Sequence, residues 1–140
     1  MPQYLGVDYG EKRIGLALSD ESGSLATPLN FLPVRGMRHA VEAVAQVCRE
    51  KGADVVVVGL PLNMDGSRGP AAEKAELFAE RLATECALPV NTWDERLSSR
   101  LVERMLVESD VSRSRRKLLT DKLAAQVILQ SYIDARAKTE

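Results

Sequence analysis

The stretch Tyr4-Leu5-Gly6-Val7-Asp8-Tyr9-Gly10-Glu11-Lys12-Arg13-Ile14-Gly15-Leu16-Ala17-Leu18-Ser19 decides how this chain is read. Leu5, Val7 and Tyr9 alternate with Gly6 and Asp8. Ile14, Leu16 and Leu18 alternate with Gly15 and Ala17. A period of two predicts two half-buried strands, joined by a tight turn at Gly10-Glu11-Lys12. Asp8 then lies near the end of the first strand among neighbours with almost no side chain, where a backbone or a metal ion can approach closely. A carboxylate facing a packed core without a partner is costly, so Asp8 is expected to face a hydrated or metal-filled opening. The competing reading is a turn aspartate bonded to its own backbone. Asp-x-Gly alone does not choose between them, and the weight falls on whether other acids converge on Asp8.

Beyond this hairpin, Leu25 to Val34 carries Pro28 and Pro33 among apolar residues, which suits a third, edge strand. Met37, Ala40, Val41, Val44 and Val47 recur at helical spacing up to Lys51, with Gly52 placed to end the helix. The run Val55-Val56-Val57-Val58 predicts a central strand buried on both faces, as in a parallel sheet covered by helices. It stops at Gly59. The loop that follows contains Asn63, Asp65, Gly66, Ser67 and Arg68, which are candidate phosphate-contacting groups or simply an ordinary polar connector. Loops at the C-terminal ends of parallel strands are where α/β sheets build ligand sites. Pro70 suits a first helical position, and Ala71, Ala75, Phe78 and Leu82 line one face of the helix it opens.

Pro89 to Trp93 reads as a short strand ending in Asp94-Glu95-Arg96. Adjacent strand residues point to opposite faces, so one of the two acids is expected to join Asp8. Glu95 is favoured, with Asp94 kept open, and the bland alternative is that both are solvated and paired with Arg96. Leu97, Leu101, Val102, Met105 and Leu106 form a further helical stripe. The basic run containing Arg113, Arg115, Arg116 and Lys117 then leads into a last helix from about Leu118 to Ala137. On it, Asp121, Ala125, Ile128 and Tyr132 share one stripe. Asp121 is therefore an acid on a buried face, either favouring the helix dipole or aimed at the sheet as a metal ligand. Three strands, helix, strand, helix, strand, helix, helix is the order of a mixed five-stranded sheet with helices on both faces.

Composition bounds the rest. The 140 residues make one domain, 1–140, with 45% hydrophobic and 28% charged residues and a net charge of -1. A nucleic-acid partner must then be met by a local basic patch rather than a global field. Cys48 and Cys86 lack metal-ligand spacing and read as reduced thiols. The single histidine, His39, reads as a solvated bystander. No apolar run is long enough to span a membrane, and the first strand is not preceded by a basic, apolar leader. The expectation is a cytoplasmic protein.

Four blocks in order resemble the YqgF/RuvX family of Holliday-junction-resolvase-like nucleases. They are Gly6-Val7-Asp8-Tyr9-Gly10 with Lys12 to Gly15, then Val58 to Gly66, then Asp94-Glu95-Arg96-Leu97-Ser98, then Asp121-Lys122 to Tyr132. The resemblance implies a ribonuclease H-like α/β fold. It implies that Asp8, Glu95 and Asp121 correspond to the family's acidic catalytic and metal-binding site, holding Mg2+ or Mn2+. It also implies phosphodiester hydrolysis, in 5′-end maturation of precursor 16S rRNA or, alternatively, on branched DNA at Holliday junctions. Lys12, Arg13, Asn63, Ser67, Arg68, Arg96, Arg113, Arg115, Arg116 and Lys117 are then the expected nucleic-acid contacts, mostly to phosphates. No aromatic row for stacking bases stands out, and Trp93 reads as core. A monomer and a homodimer are both compatible with this reading. Two rivals stand beside it. One is a catalytically silent RNA-binding ribosome-assembly factor. The other is a nucleotide switch, since Asp8 to Gly15 also resembles the phosphate loop of actin- and sugar-kinase-type ATPases, which need a second domain.

Overall fold

The computed structural model of the 140-residue chain describes residues 2–97 and 112–139, the side chains of 113–122 and 138–139 excepted. β1 (Tyr4–Asp8) and β2 (Arg13–Ser19) form the expected antiparallel hairpin, with Leu5 opposite Leu18 and Asp8 opposite Gly15. The expected single edge strand from Leu25 to Val34 is instead two short ones, β3 (Ala26–Pro28) and β4 (Leu32–Pro33), each paired antiparallel to β2. Each ends on a proline, which has no N–H for the ladder. The described sheet keeps the expected mixed path of five strands, with β4 as a sixth, two-residue strand on β2.

α1 (Gly36–Lys51) ends where Gly52 takes a left-handed conformation at φ 69° and its N–H bonds back to Cys48. His39 is not a bystander, because its Nδ1 accepts the Arg35 backbone N–H at 2.9 Å at the helix entrance. β5 (Val55–Leu60) follows, then α2 (Pro70–Cys86), β6 (Val90–Asp94) and α3 (Arg113–Thr139). The strands run β3-β2-β1-β5-β6, with β1, β5 and β6 parallel. Residues 95–97 begin a helix, Leu97 is 58% exposed, and the stripe expected from Leu101 to Leu106 lies outside the described residues. α3 starts five residues earlier than the spacing suggested, so the basic run from Arg113 to Lys117 forms its first turns rather than a loop before it.

The sheet separates two apolar layers. On one face Leu5, Val7, Ile14, Leu16, Val56 and Val58 pack with Ala40, Val41 and Val44 of α1 and Phe78 and Leu82 of α2. Ala72 is buried and Ala71 is exposed, a shift of one position from the expected stripe. Tyr9 joins the same layer by stacking on Phe78 at 4.9 Å. On the other face Tyr4, Ala17 and Val57 pack with Ala125, Ile128, Leu129, Tyr132 and Ile133 of α3. The valine run thus feeds both layers, as its unbroken apolarity requires. Each fully buried large side chain contributes about 1.5–3 kcal/mol.

Gly6 shows how closely α3 lies on the hairpin. A Cβ there would sit 2.7 Å from Leu129 Cβ and 3.0 Å from the Ala125 carbonyl oxygen. Gly6→Ala is expected to lower stability by roughly 1–3 kcal/mol through overpacking. The urea midpoint reads that loss, and an unchanged midpoint would contradict the close packing.

Candidate active site

The C-terminal ends of β1, β5 and β6 open on the same edge of the sheet, because the three strands are parallel and adjacent. Asp8 closes β1, Leu60 closes β5 and Asp94 closes β6. Alternation then selects the acid. Asn91 and Trp93 face α3: Asn91 Nδ2 donates to the Tyr132 hydroxyl at 3.0 Å, and the Trp93 ring meets Tyr132 edge-on at 5.5 Å. Glu95, two residues on, continues that face, and Asp8 shares it with Gly6.

One strand separates Asp8 on β1 from Glu95 after β6, and the sequence explains how the gap is crossed. Gly59 lies inside β5, which runs one residue beyond it, and it does not end the strand as the sequence suggested. A Cβ on Gly59 would lie 2.5 Å from Glu95 Oε1 and 2.5 Å from Ile128 Cδ1. The bare backbone at this position is the channel through which the Glu95 side chain passes over β5. It reaches hydrogen-bonding contact with Asp8. Gly15 repeats the device on the other flank, where a Cβ would lie 3.5 Å from Asp8 Cβ and 3.6 Å from Ala125 Cβ.

Two carboxylates held together in a partly dry place cannot both stay charged. Burial pushes Glu95 up to about 8, with the Asp8 charge, the hydrogen bond that the protonated Glu95 carboxyl donates to Asp8 and the Asp94 charge adding to it. Burial and the Asp8 charge thus both favour the protonated form of Glu95, and the titration belongs to the two groups jointly.

Asp94 turns the other way. Its Oδ2 accepts Arg96 Nη2 at 2.7 Å, and its Oδ1 accepts the Arg96 backbone N–H at 2.9 Å. The two neighbouring acids thus divide, one to the site and one to Arg96. The same guanidinium donates from Nη1 to the Met64 carbonyl at 3.3 Å, tying the end of β6 to the loop after β5. Within that loop Asn63 Nδ2 donates to Ser67 Oγ at 2.9 Å, Ser67 Oγ to Asp65 at 2.6 Å, and Gly66 adopts φ 88°. Arg68 pairs with Glu76 of α2. These contacts show Asn63, Ser67, Arg68 and Arg96 shaping the loop. Replacing Arg96 with alanine is expected to raise amide exchange at residues 63–67 several-fold while the central strands stay protected. Unchanged exchange in the loop would show that the guanidinium does not hold it.

Lys12 and Arg13 lie elsewhere. They line a cavity of about 500 Å³ together with Asp8, Gly10, Glu11, Gly15 and Phe31. Both cations are exposed at the mouth beside the acid, while Glu11 is paired with Lys74. Asp121 occupies the stripe that continues through buried Ala125, Ile128 and Tyr132, one turn before Ala125. Its side chain, like those of Arg113, Arg115, Arg116 and Lys117, lies outside the described residues. Among the described residues no group of three His, Cys, Asp or Glu side chains converges; the described acids of the site are Asp8 and Glu95. Trp93 is half-buried and donates its indole N–H to Ser131 Oγ at 3.0 Å. Cys48 is buried, and burial pushes its thiol up to about 12, consistent with an unreactive core thiol. Sequence reasoning missed Gly59 as the passage for Glu95 and Phe31 as part of the cavity. The glycine directly after four valines was the signal for the first.

This strand order, with helices on both faces and an acid pair at the ends of the parallel strands, defines a ribonuclease H-like domain. T. thermophilus RuvC, solved in complex with a Holliday junction substrate, shares the fold with a TM-score of 0.62 at 17% identity, over 98% of this chain and 96% of that one. The chain belongs to the RuvX family, a family of nucleases whose model, described as Holliday junction resolvase, matches residues 2–135. A protein of Symbiobacterium thermophilum named "Putative pre-16S rRNA nuclease" is 50% identical over 132 residues, covering 94% of this chain and 92% of that protein. One of the same name from Geobacillus thermodenitrificans is 47% identical over 134 residues, covering 94% and 97%. No helix among the described residues is long and apolar enough to cross a membrane.

Proposed function

We propose that this chain is a divalent-metal-dependent nuclease that hydrolyses phosphodiester bonds in precursor 16S rRNA, trimming its 5′ end. The observation that carries the reading is the Glu95 side chain passing over Gly59 to meet Asp8. The donors fit a hard cation, being carboxylate oxygens only. A cation held by both carboxylates would offset the repulsion that burial magnifies. Asp8 and Glu95 would hold it, joined by Asp121 from the next turn of the Ala125 stripe. Bound there, Mg2+ or Mn2+ supplies an activated water and charge neutralisation at the phosphate.

The chain's own groups do the rest. Gly59 gives the Glu95 side chain its passage to Asp8, and Gly15 lets Asp8 and Phe31 approach each other over β2. Lys12 and Arg13, exposed beside Asp8, attract and orient phosphates, contacts that are steeply salt-dependent and carry no sequence preference. Arg96 holds Asp94 away from the acid pair and steadies the 63–67 loop beside it.

The family description and the fold shared with RuvC favour one second reading, cleavage of branched DNA. The experiment is a side-by-side incubation of the protein with precursor 16S rRNA and a four-way DNA junction, with magnesium and with chelator, substrate in excess. Multiple turnovers on the RNA with magnesium alone are expected. Turnover only on the junction would transfer the function to the second reading. Binding without turnover on either would leave a silent assembly factor and defeat the nuclease reading.

A further inference from the structure

Phe31 stands between β3 and β4, at the point where the edge of the sheet breaks. The break is held rigidly on both sides. The Leu29 N–H donates to the Leu16 carbonyl at 2.8 Å, Leu32 pairs with Ile14, and the Val34 N–H donates to the Lys12 carbonyl at 3.0 Å. These bonds seat the Phe31 backbone beside β2, with Cε1 of its ring near Gly15. Phe31 remains 37% exposed, which is unusual for a phenylalanine clamped by two strands, and it lines the same cavity as Asp8, Lys12 and Arg13. Gly15 is what lets it come so close. Phe31 Cε1 and Asp8 Cβ each lie 3.5 Å from the position a Gly15 Cβ would take. The Arg13 guanidinium covers the ring at 4.6 Å from its centroid, a cation–π contact that orders both groups.

We propose that Phe31, backed by Arg13, is a stacking platform for one unpaired base of the nucleic-acid strand whose phosphate enters the Asp8 site. The inference rests on the nuclease reading and sharpens it, because it makes a single-stranded segment the preferred substrate. The chemistry of the cavity is that of a nucleotide. The acid pair and the two cations suit a metal-bridged or ion-paired phosphate. The exposed ring beside them suits a flat, apolar base face. Stacking is indifferent to base identity, since every base offers a π face. A paired base inside a duplex cannot present that face without being unstacked. The ring therefore selects for strand state, not sequence.

The test separates base from phosphate. Binding of a short oligoadenylate, and of a strand of the same length and charge built of abasic sugar-phosphates, is measured by fluorescence anisotropy. The Asp8→Asn background keeps the strands intact. With Phe31 present, the oligoadenylate is expected to bind more tightly than the abasic strand. Phe31→Ala is expected to lose about tenfold on the oligoadenylate, and nothing on the abasic strand. Phe31→Trp is expected to restore the difference. Equal losses on both strands, or no loss on either, would overturn the proposal. Cleavage of oligoadenylate by the Asp8→Asn protein would count against the catalytic role given to Asp8 instead, and an uncleavable phosphorothioate strand would still compare the Phe31 variants.

Discussion

Asp8→Asn is expected to reduce magnesium-dependent cleavage by a factor on the order of 10³, comparable to removing a principal electrostatic group from other active sites. The same change is expected to make the metal-free protein more stable. Removing the Asp8 charge takes away the second-largest cause of the upward shift of Glu95, leaving burial as the main one. Glu95 would then titrate closer to its ordinary value. A site that trades stability for function behaves in this way. A variant that melts higher yet does not cut would bear out both halves. Undiminished cleavage by the folded variant would remove Asp8 from the chemistry.

Gly59→Ala is the second large effect, and it acts without removing any charged group. The added methyl would lie 2.5 Å from both Glu95 Oε1 and Ile128 Cδ1. One of them must move. If Ile128 yields, α3 lifts from β5 and stability falls by roughly 1–3 kcal/mol. If Glu95 yields, the acid pair opens and cleavage drops by at least about 10²-fold. Cleavage assays and urea denaturation of the same preparation read the two outcomes. A variant with full activity and full stability would show that Glu95 does not pass over this glycine.

The acid pair also gives the protein a pH-dependent stability with a definite sign. The folded-state value of Glu95 lies near 8, above its ordinary 4.5. Below 4.5 the folded and unfolded chains both hold the proton. As pH rises from 4.5 towards 8, the unfolded chain releases it first, so stability falls across that window and levels off above it. Urea midpoints on either side of the window are expected to differ more in the native chain than in Glu95→Gln, which has no proton to lose. Magnesium is expected to flatten the slope.

Much of this was readable from residue order. The alternation from Leu5 to Leu18 and the valine run gave the hairpin and the doubly covered strand, because period and burial are tied directly to side-chain spacing. Asp8 stood out for its small neighbours, and alternation along β6 limited the second acid to one of Asp94 and Glu95 without choosing between them. What was not readable depends on contacts between distant segments. The passage over Gly59 exists only because β5 lies between β1 and β6. The engagement of Asn63, Ser67 and Arg96 in the loop after β5 depends on Arg96 arriving from β6. Phe31 looked like one apolar residue of an edge strand until the two prolines broke that strand and left its ring over Gly15.

The most direct measurement is the titration of Glu95 itself, followed by ¹³C NMR of its side-chain carboxyl with and without magnesium. An apparent value near 8 is expected in the metal-free protein, and a fall below the ordinary glutamate range when magnesium saturates the site. A carboxyl that titrates near 4.5 without metal, or one that magnesium leaves unmoved, would contradict that expectation.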